Sequence, residues 1–342
     1  MVAISLDPSL SMQIGKDCHH RGAVITEEIE GLIKVYKDGH TERPQIVPFV
    51  ASSLAPEYGV ISQDLIIDKF TNIWARFYVP TTCDGKLPLI VYFHGGGFCV
   101  GSAAWSCYHE FLARLSVNAG CLIMSVNYRL APENPLPAAF DDGIKALIWL
   151  KQQALSSAND WLSSQCNFSN VFVAGDSAGA NIAYNVIARL GSKGAAAIKP
   201  IDLKGMILIQ PFFGGETRTN SEKYSLQSSR SALSLATSDT YWRLALPSGA
   251  NREHPWCNPL GKGSSVKMDD LMKLPAMVCI AEMDILKDRS MEFAAALAKG
   301  RKRVKQVIHR DVGHGFQVLS KSQVSQTRTL EMLAQIQAFI SG

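Results

Sequence analysis

The stretch Val171-Phe172-Val173-Ala174-Gly175-Asp176-Ser177-Ala178-Gly179-Ala180 decides the fold. An apolar run of strand type leads into G-x-S-x-G, and an amphipathic helix follows with Ile182, Val186 and Leu190 on its apolar face. A serine on a sharp strand-to-helix turn projects its hydroxyl clear of the backbone, at the cost of strained angles at the serine itself. Gly175 and Gly179 remove the Cβ atoms that would collide across the bend. The helix starting near Ala178 places partial positive charge where an oxyanion would form. A bare G-x-S-x-G is a weak signal, since a serine near a helix start is commonly an N-cap. Its strand-turn-helix setting makes Ser177 a candidate nucleophile.

Outward from this turn, short apolar runs alternate with helical patterns. Runs at Leu89 to Phe93, Cys121 to Val126, Met206 to Ile209, Met277 to Ala281 and Val304 to His309 read as strands. Helices are expected near Tyr108 to Val117, Phe140 to Leu150 and Asp288 to Lys299, and a last one carries Leu333, Ile336 and Ile340. Continuous rather than alternating apolar runs imply strands covered on both faces, hence an α/β class with a mostly parallel sheet. Two segments break the rhythm. Residues 1–60 are irregular, with an extended pair suggested at Leu32 to Tyr36 and a turn at Lys37-Asp38-Gly39, and are expected to pack as a cap across the main body. Residues 211–273 form an insertion between two strands, expected to contribute to a pocket at the sheet's C-terminal edge.

Composition narrows the function classes. The 342 residues are 47% hydrophobic and 19% charged, which excludes disordered, collagen-like and coiled-coil chains. Lys+Arg 34 against Asp+Glu 30 gives a net charge of +4, scattered except for Arg301, Lys302, Arg303 and Lys305, so no nucleic-acid partner is expected. No apolar run approaches the ~18 residues of a membrane span, and the start lacks the pattern of an export signal, so no membrane insertion is expected. Eight cysteines without a C-x-x-C pair suit free thiols in a reducing, cytoplasmic setting. No His, Asp, Glu or Cys cluster has metal-ligand spacing, and neither a metal nor any other cofactor is expected.

A second glycine-rich motif, His94-Gly95-Gly96-Gly97-Phe98, also follows an apolar strand. Consecutive glycines free backbone N–H groups to face a ligand, so Gly96 and Gly97 could join Ala178 in binding a developing oxyanion. The motif has neither G-x-G-x-x-G nor a Walker ending, which argues against a phosphate loop. His94, Gly95, Gly175, Asp176 and Gly179 are expected to shape the two motifs rather than react, with the His94 ring bonded to nearby backbone.

A hydroxyl nucleophile needs a base, and the base an acid to orient it. Chain order in such folds runs Ser, acid, His. Of the later histidines, His309 reads as a sheet residue, His254 sits in the insertion, and His314 lies between Gly313 and Gly315, which let a loop present its ring. His314 is the candidate base. Asp284 follows a buried-type strand and is the candidate acid, with Glu282 its rival and Asp288 better explained as a helix cap. Because the loops at 94–98, 175–179, 284 and 313–315 must meet, residues 1–342 are expected to form a single domain.

With these residues in hand, the chain resembles the plant carboxylesterases of the hormone-sensitive-lipase branch of α/β-hydrolases. The likeness rests on His94 to Phe98, Tyr128-Arg129-Leu130-Ala131-Pro132-Glu133, Gly175 to Asn181, Pro211-Phe212-Phe213-Gly214-Gly215 and Gly313-His314-Gly315-Phe316. The resemblance implies an eight-stranded mixed sheet with an N-terminal cap over the active site, and supports Ser177, Asp284 and His314 as a triad. It implies hydrolysis of small carboxylic esters through an acyl-enzyme, and an architectural role for Tyr128 to Glu133, with Arg129 and Glu133 paired beneath the site. The similar gibberellin receptors lack the histidine that is present here as His314. The similar 2-hydroxyisoflavanone dehydratases eliminate water on the same scaffold, and Ser177 does not exclude that reaction. Phe98, Phe212, Phe213, Trp242, Leu286 and Phe316 are candidates for the substrate pocket, although aromatics there serve equally as core. The expected partner is a small-molecule ester, with the chain a monomer or a small homo-oligomer.

Overall fold

A computed structural model describes residues 24–82, 85–156, 161–224, 232–263, 274–300 and 303–342. Parts of both irregular segments, residues 1–23, 225–231 and 264–273, lie outside the described residues, as do Arg301 and Lys302 of the basic cluster.

Near the start, β1 (Ile25–Ile29), β2 (Ile33–Tyr36) and β3 (Thr41–Glu42) make a small antiparallel sheet. The main sheet takes β4 (Val60–Asp68), β5 (Ile73–Pro80), β6 (Leu87–Phe93), β7 (Leu122–Asn127), β8 (Cys166–Asp176), β9 (Leu203–Ile209), β10 (Ala276–Ala281) and β11 (Val304–His309). Its order is β11-β10-β9-β8-β6-β7-β5-β4. From β11 to β7 every pairing is parallel, and β5 and β4 close the edge antiparallel. This is the mixed, mostly parallel eight-stranded sheet and N-terminal cap that the resemblance implies.

The strand sequences explain the layers. Alternate residues of each central strand face opposite sides, and both sides are apolar. Leu89, Val91, Phe93, Val171 and Val173 meet Phe140 and Leu147 of α2 (Ala138–Leu155) and Ile182 and Val186 of α4 (Ala178–Ala197). Ile90, Tyr92, Phe172 and Ala174 meet Phe111 and Leu115 of α1 (Ser106–Ala119) and Leu333 and Ile336 of α9 (Gln323–Ser341). Each buried Val, Leu, Ile or Phe side chain among them stabilises the fold by about 1.5–3 kcal/mol on full burial. Smaller helices complete the chain: α3 (Trp161–Gln165), α5 (Asn220–Tyr224) and α6 (Leu235–Ala245) in the two connections, α7 (Lys287–Lys299) after β10, and α8 (Phe316–Leu319) after β11.

Two expectations need correction. Arg129 does not pair with Glu133: its guanidinium binds Asp142 at 2.6 Å, while Glu133 takes a bidentate pair from Arg43 at 2.6 Å. Asp288 does not cap α7. It lies inside the first turn, accepts the Ser221 N–H at 2.7 Å, and so ties α7 to α5.

Candidate active site

Because β6, β8, β9, β10 and β11 run parallel, the residues after each strand gather at one edge of the sheet. Ser177 follows β8 with φ +53°, an angle a non-glycine residue adopts at a cost of about 1–3 kcal/mol. Its N–H donates to Ile209 O at 2.8 Å, and its carbonyl accepts from Phe212 N at 3.0 Å. The bend is tight enough that a Cβ on Gly179 would overlap the Phe93 carbonyl.

The loop after β11 brings His314 Nε2 to 2.9 Å from Ser177 Oγ. The loop after β10 brings Asp284 Oδ2 to 2.7 Å from His314 Nδ1. Asp284 Oδ1 accepts from Leu286 N at 3.0 Å, which fixes the carboxylate. With Nδ1–H donating to Asp284, Nε2 keeps its lone pair for the serine proton. Burial alone would pull the His314 pKa down, but the Asp284 charge and hydrogen bond, aided by Asp176, outweigh it and the net direction is up. The arrangement is the spatial triad of a serine hydrolase.

Asp176 lies beneath the site. Tyr92 Oη donates to its Oδ1 at 2.8 Å, Gly95 N to the same oxygen at 3.0 Å, and Tyr108 Oη to its Oδ2 at 3.0 Å. Full burial pushes its pKa to about 6 against those bonds. His94 donates from Nδ1 to Gly95 O at 2.8 Å and stacks on Tyr128, whose hydroxyl donates to His94 O. Burial lowers the His94 pKa to about 4, so the ring is neutral. His309 ends β11 in the core, and Glu282 accepts from Asp311 N, which places both away from the triad hydrogen bonds.

A cavity of about 350 Å³ opens over Ser177 and His314. Gly96 and Gly97 line it, and Ala178 is the first residue of α4, where an N–H has no partner within the helix. Of the aromatic candidates, Phe212 reaches the wall. Phe98 and Trp242 pack behind it, with ring centroids 6.0 Å and 4.6 Å from Phe212. Phe213 packs on Phe293, Phe316 on His309, and Leu286 is in the core. The wall also uses Leu32 and Ile46 from the N-terminal cap, and Trp105, Leu233 and Tyr241. Tyr241 was adjacent to a candidate, but neighbours on a helix point about 100° apart, so Trp242 faces the core where Tyr241 faces the cavity. Among the described residues no group of three or more His, Cys, Asp or Glu is placed to hold a metal.

A family model described as the alpha/beta hydrolase fold matches residues 90–318. The chain belongs to the α/β-hydrolase family. The hydrolase is 55% identical over 323 residues to probable carboxylesterase 6 of Arabidopsis thaliana, covering 92% of this chain and 91% of that one. It is 36% identical over 288 residues to the gibberellin receptor GID1A of the same plant, covering 79% of each. An esterase structure from Pyrobaculum calidifontis superposes on it with a TM-score of 0.68 at 27% identity, over 82% of this chain and 84% of that one.

Proposed function

We propose that the hydrolase cleaves small carboxylic esters through an acyl-enzyme on Ser177. The observation that carries this is the continuous hydrogen-bonded chain from Ser177 Oγ through His314 to Asp284, opening onto a cavity also lined by Gly96 and Gly97. His314 Nε2 takes the hydroxyl proton as Oγ bonds to the acyl carbon, and Asp284 holds the resulting imidazolium. The carbonyl oxygen gains the negative charge and is held by the N–H groups of Gly96, Gly97 and Ala178. His314 then gives its proton to the departing alkoxide. Water repeats the sequence: its proton goes to His314, its oxygen to the acyl carbon, and the proton returns to Ser177 as the acid leaves.

The relatives named for carboxylesterase activity support this reading, and the cavity volume suits a small ester. Phe212 is the aromatic contact to substrate, braced by Phe98 and Trp242. The cap and the 211–273 insertion work with the sheet as a single unit, since Leu32, Ile46 and Leu233 join one wall. No helix among the described residues is long and apolar enough to cross a membrane, and the six described cysteines are all free, which supports a reducing, cytoplasmic location.

The test is turnover of p-nitrophenyl esters of two to eight carbons. The wild type should hydrolyse the short members, and Ser177→Ala should lose at least about 10³-fold in kcat with an unchanged melting temperature. A folded Ser177→Ala variant with wild-type turnover would refute the assignment. The GID1A likeness gives the receptor alternative its weight, and small-molecule binding without turnover would favour it.

A further inference from the structure

Gln210 occupies a junction that neither glycine motif explains. It follows β9 with φ +48°, the left-handed region that favours glycine, and it is buried. Its N–H donates to Cys279 O at 2.8 Å, anchoring it to β10. The residues around it hold the nucleophile's own backbone: Ile209 O accepts from Ser177 N, and Phe212 N donates to Ser177 O. Its side chain turns the other way. Gln210 Oε1 accepts from Gly315 N at 2.6 Å, and Gln210 Nε2 donates to Gln317 Oε1 at 3.2 Å. Gly315 directly follows His314 and is the N-cap residue of α8.

We infer that Gln210 is the positioning residue that sets the Ser177–His314 approach, by clamping the backbone after the histidine to the same strand end that holds the serine. The inference rests on the esterase reading for its kinetic consequence, not for its geometry.

His314 sits on a loop flanked by two glycines, which present the ring but do nothing to fix it. Asp284 restrains the imidazole from one side and Ser177 meets it on the other. The Gly315 N–H, buried next to the ring, needs an acceptor, and a short amide bond to a strand end supplies both satisfaction and registration. A strained backbone retained beside an active site is the kind of feature that position-critical residues show. The chain tolerates left-handed angles at Ser177 and again at Gln210, and the two residues are linked through Ile209 and Phe212.

Two substitutions separate positioning from simple packing. Gln210→Met keeps the side-chain length and removes the acceptor. Gln210→Glu keeps an acceptor for Gly315 N and adds a charge near His314, beside those of Asp284 and Asp176. The Met variant should lose about 10²-fold in kcat with little change in KM, the size of effect expected of an ångström-scale misplacement. The Glu variant should recover most of that loss, with the acid limb of its kcat/KM profile moved to higher pH. A merely structural role would lower melting temperature in both without the kcat and KM split. A spectroscopic readout needs no substrate: the low-field proton of the His314 Nδ1–H bond to Asp284 should be sharp in the wild type and in the Glu variant, and broadened or absent in the Met variant. Wild-type kcat in a folded Met variant, or a Glu variant as damaged as Met, would overturn the inference. If the Met variant does not fold, loss of both the resonance and turnover in the Glu variant would do the same. A wild type that shows the sharp resonance yet leaves esters untouched would count against the esterase reading alone, and the resonance in the variants would still decide the role of Gln210.

Discussion

Asp176 shows how a single buried carboxylate is put to structural use at a site. Two tyrosine hydroxyls and the Gly95 N–H converge on it, so it holds the first glycine of the loop after β6 against the strand that leads to Ser177. Its folded pKa of about 6 lies above the ordinary 3.8, which means that folding favours the protonated form. The stability it adds when protonated is complete below 3.8 and is lost as pH rises through about 6, an effect on the order of 3 kcal/mol. In Asp176→Asn that titration is gone. Measured by thermal unfolding, the variant should gain on the wild type as pH climbs from 3.8 to about 6, and the difference should level off above that. A difference that stays flat across this window would show that burial does not perturb the group. His94 illustrates the opposite sign in the same layer, a buried base kept neutral by the same desolvation.

At the scale of elements, the loop after β6 and the turn after β8 are built as one piece. Gly97 has φ +59°, and a Cβ there would overlap the Tyr241 ring, so the loop, the insertion helix α6 and the cavity wall share one close contact. Gly97→Ala should therefore displace the loop and cost about 10²–10³-fold in kcat/KM, the range for a lost oxyanion donor. Wild-type kcat/KM in that variant would place the donors elsewhere. The parallel strands and their helices were legible from apolar runs because two-sided burial leaves no polar face to interrupt them. The antiparallel pair β4 and β5 was not, because β5 carries Arg76 in mid-strand. That arginine is buried with its charge paired to Asp64 on β4, at 2.7 Å, and a further bond to Val50 O at 2.8 Å, partners that periodicity does not reveal. The same limit explains Arg129 and Glu133. The resemblance paired them with each other, whereas Asp142 on α2 and Arg43 from the cap segment supply the charges. Glycine motifs and the histidine loop were readable because chemistry restricts which residues fit there. The cavity wall was not, since Leu32, Ile46, Trp105 and Tyr241 are ordinary apolar residues until the fold brings them together.

Across the whole molecule, the described part of the N-terminal segment acts as a roof, and among its ties to the body two are ionic. Arg43 bonds to Cys99 O, Ala131 O and Glu133 beside the glycine loop after β6, and Glu27 on β1 pairs with Arg243 on α6 at 2.9 Å. Leu32 and Ile46 from this roof and Phe212, Leu233 and Tyr241 line one cavity over Ser177, and the proposed activity requires that this serine be activated. The most direct measurement is intact-mass and peptide analysis after brief exposure to a fluorophosphonate. The wild type should gain one adduct per chain, located on Ser177, and His314→Ala should react at least about 10³-fold more slowly. A wild type that gains no adduct, or gains it on another residue, would contradict the account.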